Sequence, residues 1–204
     1  MRIPSSPYVV VIAGSFEGIS ALTRLVSLLP QPFSTPIVAS VHGSSVSELE
    51  RLIPMRACVS KRITTLHAIG RHTIVPGCIH VVSEDINMTF TEKNQIDLTP
   101  RSNSRNARSS NSFSADHLFE SAAKVYGKGA IGVVLSGRGR DGTAGLQAIT
   151  EAGGVRIVQS PVDSSHPAMP INALLGDHVQ HSILIDHMAY FLRDLVKQPI
   201  FHDI

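Results

Sequence analysis

Three largely apolar runs, Tyr8 to Ala13 (YVVVIA, without a break), Pro36 to Val41 (PIVASV) and Ala130 to Leu135 (AIGVVL), limit what this chain can become. They lack the apolar/polar alternation of a half-exposed strand, so they read as strands covered on both faces, which is the habit of a parallel sheet. Between and after them the apolar spacing changes to that of helices. Glu17 to Leu29 places Ile19, Leu22, Leu25, Val26 and Leu29 on one side before Pro30, and Ala115 to Tyr126 does the same with Leu118, Phe119, Ala122 and Val125 before Gly127 and Gly129. Further segments follow: a helix at Gly142 to Ala152, a strand at Val155 to Gln159, a helix near Pro170 to Leu175 and a terminal helix at Ile185 to Val196. A helix is also expected at Ser44 to Ile53, where Ser45 and Glu48 have capping-box spacing. Strand and helix in alternation predict one α/β domain over residues 1–204, doubly wound, with a mostly parallel sheet flanked by helices.

The middle of the chain breaks this rhythm. HTIVPG, CIHVVS, NMTFTE and QIDLT are short and β-branched, with turn signals at Pro76-Gly77, Glu84-Asp85 and Lys93-Asn94, and they predict a hairpin insertion attached to the main sheet. Pro100 to Ser112 is rich in Ser, Asn and Arg without apolar periodicity and reads as a loop.

At 204 residues and 43% hydrophobic, the chain can bury a full core without disulfides or metal. A net charge of +2, with no basic run interleaved with aromatics, argues against nucleic acid as a partner. Cys58 and Cys78 have neither CxxC nor metal-ligand spacing and read as reduced thiols, although their sequence positions leave a lone disulfide open. The first apolar run is too short for a signal-peptide core, and nothing approaches the roughly twenty apolar residues of a membrane span. A cytoplasmic protein without membrane insertion is expected.

The chemistry lies just past the strands. Ser15, His42 and Asp141 each follow one of the three buried runs, and the carboxyl ends of parallel strands open onto the ligand crevice of such folds. A serine hydroxyl becomes a competent nucleophile when a neutral imidazole takes its proton and a carboxylate fixes that imidazole. Ser15 would attack, His42 would act as base and then acid, and Asp141 would orient His42. The plainer alternative makes Ser15 a helix N-cap and His42 a turn residue. GSFEG is not the GxSxG elbow, and its loose echo of GxGxxG lacks an acidic ribose ligand after the second strand. Two histidine groups, His178, His181 and His187, and His67, His72 and His80, have no supporting metal-ligand context, so neither a metal nor a cofactor is expected.

Seven blocks, IAGSFEG, SVHG, IVPGCIHV, SADHLFESAAKVYG, LSGRGRDGTAGLQAI, EAGGVRIVQ and AMPINAL, together resemble the catalytic domain of the chemotaxis protein-glutamate methylesterase family, CheB, from about Tyr8 to Val196. The resemblance puts the family's serine, histidine and aspartate on Ser15, His42 and Asp141. It implies hydrolysis of glutamyl methyl esters on the cytoplasmic domains of methyl-accepting receptors, with methanol released, and deamidation of receptor glutamines in related members. Because the chain starts just before the first strand, the expectation is a domain without the family's receiver module. Its site would then be open or governed by a separate regulatory protein.

The chain departs from the family pattern around the nucleophile. Phe16 and Glu17 replace small residues, and Arg138 stands where methionine is usual. Backbone N–H groups of Phe16 and Arg138 remain candidates for an oxyanion hole, since they survive a change of side chain. Arg138, Arg140 and Met169 are candidate substrate contacts, with Met169 at the pocket rim, and Arg101, Arg105 and Arg108 could steer an acidic partner. Glu17 is expected in the first turn of a helix, facing water, where the dipole favours its charge. The alternative has it narrowing the site or pairing with Arg138 or Arg140, which would leave a catalytically weak receptor-binding or regulatory domain of the same fold.

Overall fold

The computed structural model describes residues 6–30, 33–43, 62–66, 68–83, 86–100, 114–176 and 179–200. The helix expected at Ser44 to Ile53, Cys58, and the loop arginines 101, 105 and 108 lie outside them.

Seven strands form one sheet in the order β10-β9-β8-β1-β2-β5-β3, and all its pairings are parallel. They are β1 (Val9–Ser15), β2 (Ile37–His42), β3 (Arg62–Thr65), β5 (Cys78–Ser83), β8 (Ala130–Val134), β9 (Val155–Gln159) and β10 (His181–Ile183). Three more, β4 (Gly70–Thr73), β6 (Ile86–Glu92) and β7 (Gln95–Pro100), make a small antiparallel sheet in the order β4-β7-β6. The helices are α1 (Ile19–Leu28), α2 (Ser114–Tyr126), α3 (Thr143–Glu151), α4 (Ala168–Gly176) and α5 (Ile185–Leu195). The doubly wound, mostly parallel fold with a hairpin insertion is as the sequence predicts.

Burial explains why the apolar runs gave so clear a signal. Along β1, Val9, Val11 and Ala13 enter a core shared with α2, α3 and the small sheet, whereas Val10 and Ile12 enter a second core shared with α1 and α5. Both faces of the strand are covered, so Val9 to Ala13 is apolar without a break.

Some boundaries and assignments differ from the expectation. CIHVVS is β5, a parallel strand of the main sheet paired with β2 and β3, and not part of a hairpin. NMTFTE and QIDLT do form the hairpin, turning at Lys93-Asn94 with Asn94 in the left-handed region at φ 63°. The Tyr126 hydroxyl accepts the Asn94 N–H at 2.9 Å, which ties that turn to α2. The helix expected from Glu17 begins instead with a single 3-10 turn, Phe16–Gly18, before α1. A Cβ on Gly18 would stand 2.2 Å from the Ser136 carbonyl oxygen, so only glycine lets the chain pass this close to the turn after β8. Leu29 is extended at ψ 129°, as expected of a residue before proline, and α1 stops there.

The chain runs from β1 to β2, passes to the edge strand β3, comes back to place β5 between β2 and β3, and then crosses to the other side of β1 for β8, β9 and β10. The strand order therefore reverses beside β1. In open α/β sheets the crevice at the carboxyl ends of the strands flanking such a reversal is where ligands bind.

Candidate active site

Ser15 is the last residue of β1 and His42 the last of β2, and the two are direct register partners across neighbouring parallel strands. Their separation is therefore set by the strand spacing of the sheet. Asp141 follows β8 on the opposite side of β1 and opens the turn into α3. The fold thus brings the three sequence-predicted residues to the reversal point.

Asp141 is buried, with 4% of its surface exposed. Its carboxylate accepts the Ala115 N–H at 3.2 and 3.3 Å and the Asp116 N–H at 3.2 Å, both from the first turn of α2. Those N–H groups have no partner within the helix, and the helix dipole adds positive potential where they point. Burial pushes the Asp141 carboxyl up from its ordinary value, while the backbone N–H groups and the nearby His42 imidazole pull it back toward ionisation.

Ser15 is also buried, at 4% exposure. It precedes the 3-10 turn as a cap would, yet makes no side-chain cap bond, so the N-cap alternative does not hold. Its hydroxyl donates instead to the carboxylate of Glu17. Glu17 in turn accepts from the Arg138 guanidinium at 2.7 Å, and the other arm of that guanidinium lies 3.3 Å from Nε2 of His166. The Ser15 hydroxyl, more than any other group, lowers the Glu17 carboxyl below its ordinary value; Arg138 and His166 add to the effect. The water-facing placement expected for Glu17 is thus overturned: it turns inward and pairs with Arg138. Local spacing correctly put it in a first turn but carries no signal from Arg138, which comes from a distant loop.

The turn after β8 presses against Ser15. The Gly137 N–H donates to the His166 carbonyl at 2.8 Å, and the Gly137 carbonyl accepts from the Met169 N–H at 3.0 Å. A Cβ on Gly137 would lie 2.2 Å from the Met169 sulfur and 3.1 Å from the Ser15 Cβ. Met169 is fully buried, so it supports this turn from beneath and does not form the pocket rim expected of it. Arg138 and Arg140 are exposed beside the mouth. Phe16, 43% exposed, lies next to Gly43, the residue after His42.

Two of the remaining histidines have structural surroundings. His80 is buried, accepts the Val75 N–H through Nε2 at 3.2 Å, and is pushed down to about 4 chiefly by burial. The His181 ring packs on Phe191 with centroids 4.6 Å apart. His67 and His178 lie outside the described residues, and among the described residues no three His, Cys, Asp or Glu side chains gather as metal ligands. Cys78 is a buried free thiol. Among the described residues no helix is long and apolar enough to cross a membrane.

Fold and site together define a doubly wound α/β domain that gathers a serine, a histidine and a buried aspartate at its switch point. A family model described as CheB methylesterase matches residues 10–192, and the chain belongs to the CheB methylesterase family. It is 30% identical over 192 residues to protein-glutamate methylesterase/protein-glutamine glutaminase 3 of Paramagnetospirillum magneticum, covering 94% of this chain and 52% of that protein. A putative protein-glutamate methylesterase/protein-glutamine glutaminase of Leptospira interrogans is 28% identical, covering 88% of this chain and 90% of its own length. The chain spans about half the length of several curated relatives it matches, among them protein 5 of Myxococcus xanthus with the same description, at 53%. The crystal structure of the Thermotoga maritima CheB methylesterase catalytic domain superposes with a TM-score of 0.73 at 23% identity, covering 92% of this chain and 98% of that one, a likeness of fold.

Proposed function

We propose that this domain hydrolyses glutamyl methyl esters on the cytoplasmic domains of methyl-accepting receptors, releasing methanol, with Ser15, His42 and Asp141 as its catalytic residues. The observation that carries the reading is the register pairing of Ser15 with His42 at the switch point, with Asp141 held by the first amides of α2 beyond β8. Family membership supports the ester substrate class, and the relatives' names extend the reading to deamidation of glutamine.

In the proposed reaction Ser15 Oγ adds to the ester carbonyl carbon while His42 takes the hydroxyl proton. The tetrahedral oxyanion collapses as His42 returns that proton to the departing methoxy oxygen, and methanol leaves. Water, deprotonated by His42, then attacks the glutamyl-serine ester and regenerates Ser15. Asp141 stabilises the imidazolium formed in each half. Phe16 opens the 3-10 turn, where an N–H has no partner inside the helix, which suits its backbone to an oxyanion. Arg138 is the second candidate donor, through its own backbone N–H. Exposed Arg138 and Arg140 suit an acidic receptor surface.

One observation favours a second reading, a catalytically weak receptor-binding or regulatory domain. A hydroxyl carries one proton, and Ser15 donates its proton to Glu17, so in this arrangement it has none to give His42. Methanol release from a methyl-esterified receptor fragment, compared between the native protein and Ser15→Ala, separates the readings. Release that falls by at least about 10³-fold in the variant supports the esterase. Absence of release from the folded native protein, on substrate that an active relative demethylates, supports the second reading.

A further inference from the structure

Helix α3 starts with a defect. Its N-cap is Gly142, which has no side chain to accept the N–H groups of the first turn. Another residue cannot take its place: φ is +89°, and a Cβ would lie 2.9 Å from the Ala13 Cβ and 3.2 Å from Val134 Cγ2. An N-cap carboxylate would ordinarily take the N–H of the third helical residue, here Gly145.

That acceptor comes from the neighbouring helix. Asp116, in the first turn of α2, accepts the Gly145 N–H at 2.8 Å and also faces the N–H of Gly142. The packing is close, since a Cβ on Gly145 would stand 3.0 Å from the Asp116 Cα. Asp141, one residue ahead of Gly142, meanwhile accepts the N–H groups of Ala115 and Asp116. The two aspartates therefore cap each other's helices: Asp141 closes α2, and Asp116 closes α3.

We propose that Asp116 is a positioning residue for the Ser-His-Asp mechanism, its carboxylate fixing the turn from which Asp141 reaches His42. The inference rests on the reading of Ser15, His42 and Asp141 given above. The Asp141 carboxylate is attached to a turn whose next residue is a glycine, and its orientation depends on both ends of the crossed cap. With Asp116 removed, the first turn of α3 loses its only side-chain acceptor among the described contacts, and the turn holding Asp141 is free to shift against α2. Displacement of a catalytic group by an ångström or less is enough to slow a reaction strongly.

The test compares native protein, Asp116→Ala and Asp116→Asn, all confirmed folded by thermal unfolding. Asparagine keeps one acceptor oxygen for Gly145; alanine keeps none. The first readout is the rate at which a fluorophosphonate labels Ser15, a measure independent of receptor substrate. The expected result is a drop of roughly 10- to 100-fold in Asp116→Ala, most of it recovered in Asp116→Asn. The second readout is the imidazole nitrogen resonances of His42, assigned with His42→Gln, which should move in Asp116→Ala and return toward native values in Asp116→Asn. If alanine lowers only the melting temperature, leaving labelling and the His42 resonances as in the native protein, the positioning role is overturned. If native protein is not labelled at all, the hydrolase reading fails separately, and the His42 resonances still decide whether Asp116 positions Asp141.

Discussion

Two carboxylates stand near the ends of the central strands, and their surroundings are opposite. Glu17 lies at the mouth, partly open to water, held by a hydroxyl and by a guanidinium whose own side chain is 73% exposed. Asp141 lies on the other side of β1, buried and held by main-chain N–H groups at a helix start. Its surroundings push Glu17 below the ordinary carboxylate range, whereas burial pushes Asp141 above it. The difference teaches which contact is fixed by the fold. Backbone amides stay as long as α2 stays, but the hydrogen bond between Ser15 and Glu17 ends when either side chain swings away.

The largest effect should come from the fixed side. Asp141→Asn keeps the shape but presents a neutral amide to the imidazole, and ester hydrolysis should fall by as much as about 10⁴-fold. Native kcat in that variant would show that Asp141 serves only to cap α2.

A stability measurement probes the same buried region. Asp116 is raised to about 6, first by burial and then by the facing charges of Asp141 and Glu120, against the N–H bonds that lower it. A carboxyl whose folded pKa exceeds its unfolded value stabilises the fold while protonated, and that stabilisation is lost as pH rises from about 4 to about 6. Over this range the native protein should lose up to about 3 kcal/mol relative to Asp116→Asn in denaturant unfolding. An unchanged difference between the two proteins at pH 4 and pH 7 would contradict the raised value.

Smaller effects belong to the mouth. Glu17→Ala frees the Ser15 hydroxyl to donate to His42, and labelling of Ser15 should accelerate about tenfold, the scale of one hydrogen bond to a charged group. A slower rate would reverse the interpretation and make Glu17 a participant. Mild acid is no substitute for the mutation: with its pKa lowered, Glu17 remains ionised until the pH falls below the ordinary carboxylate range. Arg138→Met removes one of the groups holding Glu17; because exposed ion pairs are weak, the gain in labelling should stay below about fivefold. A gain larger than that of Glu17→Ala would place the control of Ser15 in Arg138 itself.

How much of this was legible in the sequence follows from how local each feature is. β1, β2 and β8 announce themselves because burial on both faces favours apolar residues at nearly every position before their ends, and those ends lead to Ser15, His42 and Asp141. CIHVVS was harder to place: its polar ends and neighbouring turn signals match a hairpin strand as well as a parallel one, and only pairing with Ile37 to Val41 decides. β3 and β10, of four and three residues at the sheet edges, carry too few positions for a pattern. The inward turn of Glu17 depends on Arg138, and the cap of α3 depends on Asp116, each far away in sequence. A glycine at an N-cap that nothing nearby can serve is the one local hint that a partner must come from elsewhere.

Pairing Ser15 with His42 along the sheet also bears on how the protein would lose its geometry. β1 lies at the middle of the seven strands, with β2 on one side and β8 on the other. Central strands open to hydrogen exchange only in the largest unfolding events, whereas loops and edges open readily. Amides of β1 and β2 should therefore be among the slowest to exchange, and warming should loosen the mouth long before it parts the serine from the histidine. The distance between them is a property of the global unfolding equilibrium, which local breathing of the loops leaves untouched.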